Sequence, residues 1–182
     1  SVKGPSGWKR ARRTRLREAE GSPKYYCNTA ATTLGGGFWL LKPRRGLDHD
    51  LIFLHQGQSY RLLVRYKDLY TDYLSFTISP DGQHLIVAMD PSAGRKPSGT
   101  NRDLYLASKI DTYTFDSLRP LAPNLNTAGN EDCPFLSADG KYLFFTSDGH
   151  ENHLGGGDIY RSERLGEGWN QWSEPVHLGN TV

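Results

Sequence analysis

The chain has 182 residues, 36% hydrophobic, 12% aromatic and 23% charged, with 20 Gly and 10 Pro. So much Gly and Pro argues against a helical bundle, and 10 Tyr, 7 Phe and 4 Trp are too many for a disordered polymer. No apolar run approaches the roughly 20 residues that a transmembrane helix needs, so the composition predicts a soluble, mostly β chain.

Residues 1–27 read as a basic arm. Lys3, Lys9, Arg10, Arg12, Arg13, Arg15 and Arg17 face only Glu18 and Glu20 within the first 20 residues, a net charge of +5. The rest of the chain then carries −3 of the overall +2. Such an arm can touch phosphate, anionic lipid or an acidic partner, although nucleic-acid readers usually spread their basic residues over a folded surface. A solvated, partly extended terminus that keeps the chain soluble is therefore the favoured reading. Gly7-Trp8 resembles a later Gly168-Trp169, which leaves room for a stray outer strand here. No apolar h-region opens the sequence, but a trimmed chain would read the same.

From residue 28 onward an internal repeat organises the chain. The second and third copies are clearest. Leu74-Ser-Phe-Thr-Ile-Ser-Pro-Asp81-Gly82 runs on to Leu85-Ile-Val-Ala88, and Cys133-Pro-Phe-Leu-Ser-Ala-Asp139-Gly140 to Tyr142-Leu-Phe-Phe-Thr146. Each is an apolar strand, a Ser-x-Asp-Gly turn and a second apolar strand, which predicts a β-hairpin. The first copy, Ala31-Thr-Thr-Leu-Gly-Gly36-Gly-Phe-Trp-Leu-Leu41, is degenerate. The turn glycines 36, 82 and 140 are 46 and 58 residues apart.

A third strand opening on Asp follows each hairpin, at Asp50, Asp103 and Asp158, 14, 21 and 18 residues after the turn glycine. A fourth closes each unit, at Tyr60–Tyr66, at Thr112–Phe115 running to Leu121, and at Trp169–Leu178. Four short strands every 46 to 58 residues are the pattern of β-propeller blades. The expected boundaries are 28–73, 74–122 and 123–182. Three blades fall short of the 4–8 of closed propellers, so the fold class is all-β, an incomplete or partner-closed propeller with two open edges.

The third unit carries a specific likeness. Leu125-Asn-Thr127, Asn130-Glu-Asp-Cys-Pro-Phe-Leu-Ser-Ala-Asp-Gly-Lys-Tyr-Leu-Phe-Phe-Thr-Ser147, Gly155-Gly-Gly-Asp-Ile-Tyr-Arg-Ser162, Gly168-Trp169 and Trp172-Ser-Glu-Pro-Val-His-Leu-Gly179 stand in order. Residues 119–182 thereby resemble the Asp-Gly-rich, WD-like repeats of periplasmic TolB-type proteins, above all the propeller segment of OmpA-like, peptidoglycan-associated lipoproteins. Residues 74–118 share Ser79-Pro-Asp-Gly82 and Asp103-Leu-Tyr105, and residues 1–73 share little. The resemblance implies a non-enzymatic interaction or scaffold module of the bacterial cell envelope, periplasmic or associated with the outer membrane. Its implied partners are other envelope proteins or further blades. A glycan-binding or glycan-cleaving propeller is the alternative, because related repeats occur in such enzymes. Contact with an anionic polymer or lipid through Lys9, Arg10, Arg12, Arg13, Arg15 and Arg17 is a weaker one.

Most of the motif is scaffold. Asp81, Gly82, Asp139 and Gly140 make turns, Asp103 and Asp158 begin strands, and Trp169 with Trp172 are expected on the outermost strand, where their wide side chains cover the blade's apolar face. The middle strands, such as Tyr142-Leu-Phe-Phe145, are expected to be buried between neighbouring blades. Propellers use strand-end loops for ligands, which selects Asn130, Glu131 and Asp132 before the innermost third-blade strand. It also selects Asp148, His150, Glu151 and His153 in the following loop. A His-x-x-His pair with carboxylates can hold a transition metal, but loop spacing fixes no geometry, so no metal and no cofactor is assigned. Asp48-His-Asp50 and the isolated His55, His84 and His177 carry no further chemistry, and no nucleophile elbow, Walker loop or metalloprotease helix is present. Cys27 and Cys133 are the only cysteines; their sequence context leaves both a disulfide and free thiols open.

Overall fold

A computed structural model describes residues 75–90, 102–112 and 114–179 fully, and the backbone of six strands before them. Those six are β1 (Lys3–Gly4), β2 (Gly7–Trp8), β3 (Ala30–Thr32), β4 (Phe38–Pro43), β5 (His49–His55) and β6 (Gln58–Val64). Then come β7 (Ser75–Ile78), β8 (His84–Met89), β9 (Asp103–Asp111), β10 (Thr114–Phe115) and β11 (Arg119–Pro120). The third unit contains β12 (Glu131–Leu136), β13 (Tyr142–Ser147), β14 (Asp158–Glu163) and β15 (Val176–His177). No helix occurs among the described residues.

The strands form propeller-like antiparallel blades in chain order: β3-β4-β5-β6, then β7-β8-β9 edged by β10 and β11, then β12-β13-β14-β15. They do not close into a ring among the described residues. The fourth strand of the second blade is broken into two short pieces, because the chain bulges at Thr114 and Phe115 and then reapproaches β9 at Arg119. β10 also pairs in parallel with β6, joining the outer edges of the first two blades, a link that the sequence does not announce. Gly7–Trp8 pairs with Lys3–Gly4 in a small ladder of its own.

The Ser-x-Asp-Gly turns explain the hairpins atom by atom. In the second blade the Ser79 hydroxyl donates to Asp81 and accepts from the His84 N–H at 2.8 Å, while Asp81 accepts the Gln83 N–H at 2.9 Å. In the third, Ser137 donates to Asp139 at 2.5 Å, and Tyr142 and Lys141 complete the same pattern at 2.9 and 3.0 Å. Gly82 and Gly140 take φ of 71° and 70°, the left-handed conformation that closes each turn at little steric cost.

Among the described residues, a hydrophobic cluster lies between the second and third blades. Ile86, Ala88, Leu104 and Leu106 of one blade pack against Leu136, Leu143, Phe145 and Tyr160 of the other, with Leu121, Leu125 and Trp172 around them. β8 and the start of β9 are buried on both faces, whereas β13 and β14 alternate buried and open positions. The expectation that Tyr142-Leu-Phe-Phe145 is enclosed throughout is therefore corrected: only Leu143 and Phe145 are buried. A strand reads as a continuous apolar run when sheets cover both its faces. Among the described residues, only one face of this blade is covered.

Trp169 and Trp172 precede β15; Trp172 forms an antiparallel bridge with Arg164 along the same edge of the blade, and its ring joins the core cluster against which Trp169 packs. Trp172 is buried and donates its Nε1–H to the Trp169 carbonyl at 2.9 Å. Trp169 lies between blades, its ring 4.5 Å from that of His84 and 4.7 Å from the Arg164 guanidinium carbon.

Candidate functional site

The start of β12 and the end of β13 bring Asn130, Glu131, Asp132 and Asp148 together. Register explains it, because Glu131 pairs with Ser147 and Asp132 with Thr146. Asp148 accepts the Asn130 backbone N–H at 2.6 Å and its side-chain amide at 2.9 Å. Those two bonds hold its carboxyl below the usual range near 3.8.

Glu131 points inward and is 0% exposed. One carboxylate oxygen accepts the Thr127 N–H at 2.9 Å; the other accepts the Thr127 and Ser147 hydroxyls, both at 2.7 Å. A buried carboxylate is tolerated only when so supplied with donors. Here it ties the loop before β12 to the end of β13. Acid–base chemistry on a sugar requires two carboxyl groups open to the substrate, which this enclosure denies Glu131.

Asp132 faces the second blade. It accepts a bond from the Ser75 hydroxyl and the Cys133 N–H at 2.7 Å. Arg102 Nε lies 3.0 Å from its other oxygen, close enough for an ion pair though not aligned as a hydrogen bond. The backbones join too, with the Glu131 N–H donating to the Arg102 carbonyl at 2.7 Å. Asn126 completes the seam as an imitation strand, accepting from the Leu104 N–H at 2.8 Å and donating to its carbonyl at 3.1 Å. Asp103, beside this seam, has its carboxyl raised by burial and by the charges of Glu131 and Asp90. Burial and Asp103 together push the Tyr105 hydroxyl up to about 12.

The loop 148–157 separates its candidate ligands. His150 Nε2 lies 3.1 Å from the Leu125 carbonyl, and the ring packs on Phe145 and Tyr160. His153 Nδ1 bonds the His150 carbonyl at 3.1 Å, and Glu151 stays exposed. Among the described residues, no three His, Cys, Asp or Glu side chains converge as a metal site. Asp158 begins β14 as expected and accepts the Leu154 N–H at 2.5 Å. Lys9, Arg10, Arg12, Arg13, Arg15, Arg17 and Cys27 lie outside the described residues.

Cys133 is a free, exposed thiol with φ of 52°, at the bulge where the β12 register shifts between Asp132 and Phe135. Burial of the sulfur and the neighbouring Asp132 raise its pKa, which disfavours the reactive thiolate. Sequence reasoning missed Ser75, Arg102, Asn126 and Thr127, which complete the interblade network. The legible hint was that Asn126, Thr127 and Ser147 fall inside the repeat motif.

It also missed the second feature of the site, the open face of the third blade. Phe135, Phe144, Arg161 and Val176 lie in one row across its four strands, since each pairs with the next. Phe135 is 62%, Ile159 43% and Val176 52% exposed, an unusual apolar concentration on one sheet face.

No protein-family model matches the chain, and no curated protein matches it. Among solved structures it is similar to TolB from Acinetobacter baumannii, with a TM-score of 0.51 and 15% identity over 76% of this chain and 30% of that one. A structure from a study of two prolyl endopeptidases matches 82% of this chain and 20% of that one, at 17% identity and a TM-score of 0.40. The chain thus spans less than a third of each. The TolB likeness carries the fold: these blades are those of a TolB-like β-propeller.

Proposed function

We propose that this partial, TolB-like propeller is a non-enzymatic protein-interaction module of a bacterial cell envelope, working as a subunit of a larger assembly on the periplasmic side. The observation that supports this reading is the open face of the third blade, where Phe135, Ile159 and Val176 stand exposed on a sheet whose other face is packed. Such a patch marks an association surface. The resemblance of the third-blade motif to the propeller segment of OmpA-like lipoproteins supports the same compartment. Of the two carboxylates that the glycan-cleaving alternative would use, Glu131 is enclosed and bonded to Thr127 and Ser147 and Asp132 is bonded across the seam to Ser75, which weighs against it.

The test is photo-crosslinking in a Gram-negative host, with benzoylphenylalanine at Ile159 and, as a control, at Asn152 in the exposed loop. Adducts to periplasmic or outer-membrane proteins from position 159 alone are expected. Adducts equal at both positions, or polysaccharide-cleaving activity of the purified chain, would overturn the reading.

A further inference from the structure

The second and third blades are the same object in two situations. In the second, Thr77, Ile86, Leu106 and Arg119 pair in sequence across the sheet, as Phe135, Phe144, Arg161 and Val176 do in the third. One row over, the Leu121 N–H donates to the Leu104 carbonyl at 2.9 Å, and the Leu178 N–H to the Ile159 carbonyl at 3.0 Å. The two faces therefore correspond residue by residue. On the second blade, Thr77, Ile86 and Leu106 are 5%, 0% and 3% exposed, because the third blade covers them. The matching face of the third blade is an interface of the same kind that no sheet covers among the described residues.

Two substitutions within this correspondence indicate what covers it. Leu106 has become Arg161, and Ser108 has become Glu163, which pairs with Tyr142. Both charged residues are exposed and lie two apart on β14, on one face and about 6.6 Å from each other. Arg161 leans over the Tyr142 ring, 5.1 Å from its centroid. A guanidinium inside a sheet interface requires an opposing carboxylate. A +/− pair along a single strand supplies one to its own copy: a twofold axis over Ser162 sets Arg161 of each molecule against Glu163 of the other. Interfaces about such an axis must be self-complementary in this way.

We infer that the third-blade face pairs with the same face of a second copy, β14 against β14, with the apolar row packed around two reciprocal Arg161–Glu163 ion pairs. This rests on reading the face as an association surface and names its partner. Three strands of six residues and the two-residue β15 make a face of roughly 20 by 15 Å, small for a permanent interface, so the pairing is concentration-dependent.

Sedimentation equilibrium of the purified 182-residue chain over a concentration series tests it. A monomer–dimer equilibrium in the micromolar range is expected. Arg161→Glu and Glu163→Arg each place like charges opposite one another and weaken dimerisation at least about tenfold. The double variant Arg161→Glu/Glu163→Arg returns it to within about threefold of wild type. Both positions are exposed, and circular dichroism verifies that the variants stay folded. A wild-type chain monomeric up to several hundred micromolar overturns the inference. So does a dimer indifferent to the single changes, or a double variant that is not rescued. If the chain is monomeric while position 159 still cross-links an envelope protein, self-pairing is wrong and the interaction role stands. If it dimerises as described but no envelope protein is cross-linked, the reverse holds.

Discussion

Gly149 lies so close to Gly129 that neither has room for a side chain. A Cβ on Gly149 would stand 2.8 Å from the Gly129 nitrogen and 2.9 Å from its Cα, besides striking the Thr127 hydroxyl. This close approach sets the loop after β13 against the loop before β12 and lets Asp148 reach the Asn130 N–H. Gly149→Ala is expected to destabilise the fold by about 1–3 kcal/mol, as overpacking does. Urea denaturation measures it, and a loss below about 0.5 kcal/mol would show that the two loops separate freely.

Glu131 serves the interior. Replacing it by Ala strands the Thr127 N–H and the Thr127 and Ser147 hydroxyls in a buried space. The expected loss is about 1–3 kcal/mol in a denaturant titration. Ser147→Ala, which removes one donor, should cost less than Glu131→Ala. The reverse order would contradict the arrangement.

Stability should fall in acid. The carboxyls of Asp81, Asp139 and Asp148 lie below their ordinary 3.8 in the folded chain, owing to bonds from Ser79, Ser137 and Asn130 and from backbone N–H groups. Depressed values favour the fold above the unfolded pKa, and this contribution disappears as pH drops below about 4. Asp148→Asn should flatten that part of the profile. Asp103 has the opposite sign, being raised by burial and by Glu131, so its ionisation opposes folding as pH rises past 3.8. Asp103→Asn should therefore help more at pH 7 than at pH 3. Thermal melts across pH decide both points.

His84 is a local reporter of the seam. Its pKa lies below 6.5, first because the ring is half-buried beside Trp169, with Arg119 and Arg164 adding to the effect against Asp81 and Asp116. Trp169→Ala opens the ring to water and should move the value back towards 6.5. A ring-proton NMR titration reads this directly; an unchanged value would mean that Trp169 does not shield the imidazole.

The turns were readable in full because their cause is local. Ser79-Pro-Asp-Gly82 and Ser137-Ala-Asp-Gly140 each contain every donor, acceptor and left-handed residue that the turn uses, so counting along the chain finds both hairpins and the spacing of the blades. Asp158 at the start of β14 is legible for the same reason. The contacts of Trp169 were not legible, because they are made with His84 and Arg164, one in another blade and neither marked by spacing.

The sequence by itself determined the number and kind of blades, since strands and turns follow from alternation and short-range hydrogen bonds. Only the tertiary structure decided what each side chain became. Glu131 was one of several acidic residues until the approach of Thr127 and Ser147 made it a buried anchor. Ile86 and Phe144 occupy the same place in the same repeat, yet one is enclosed and the other half-open. The difference lies in whether a neighbouring sheet stands over the face, and burial, unlike a turn, is a property of what lies opposite.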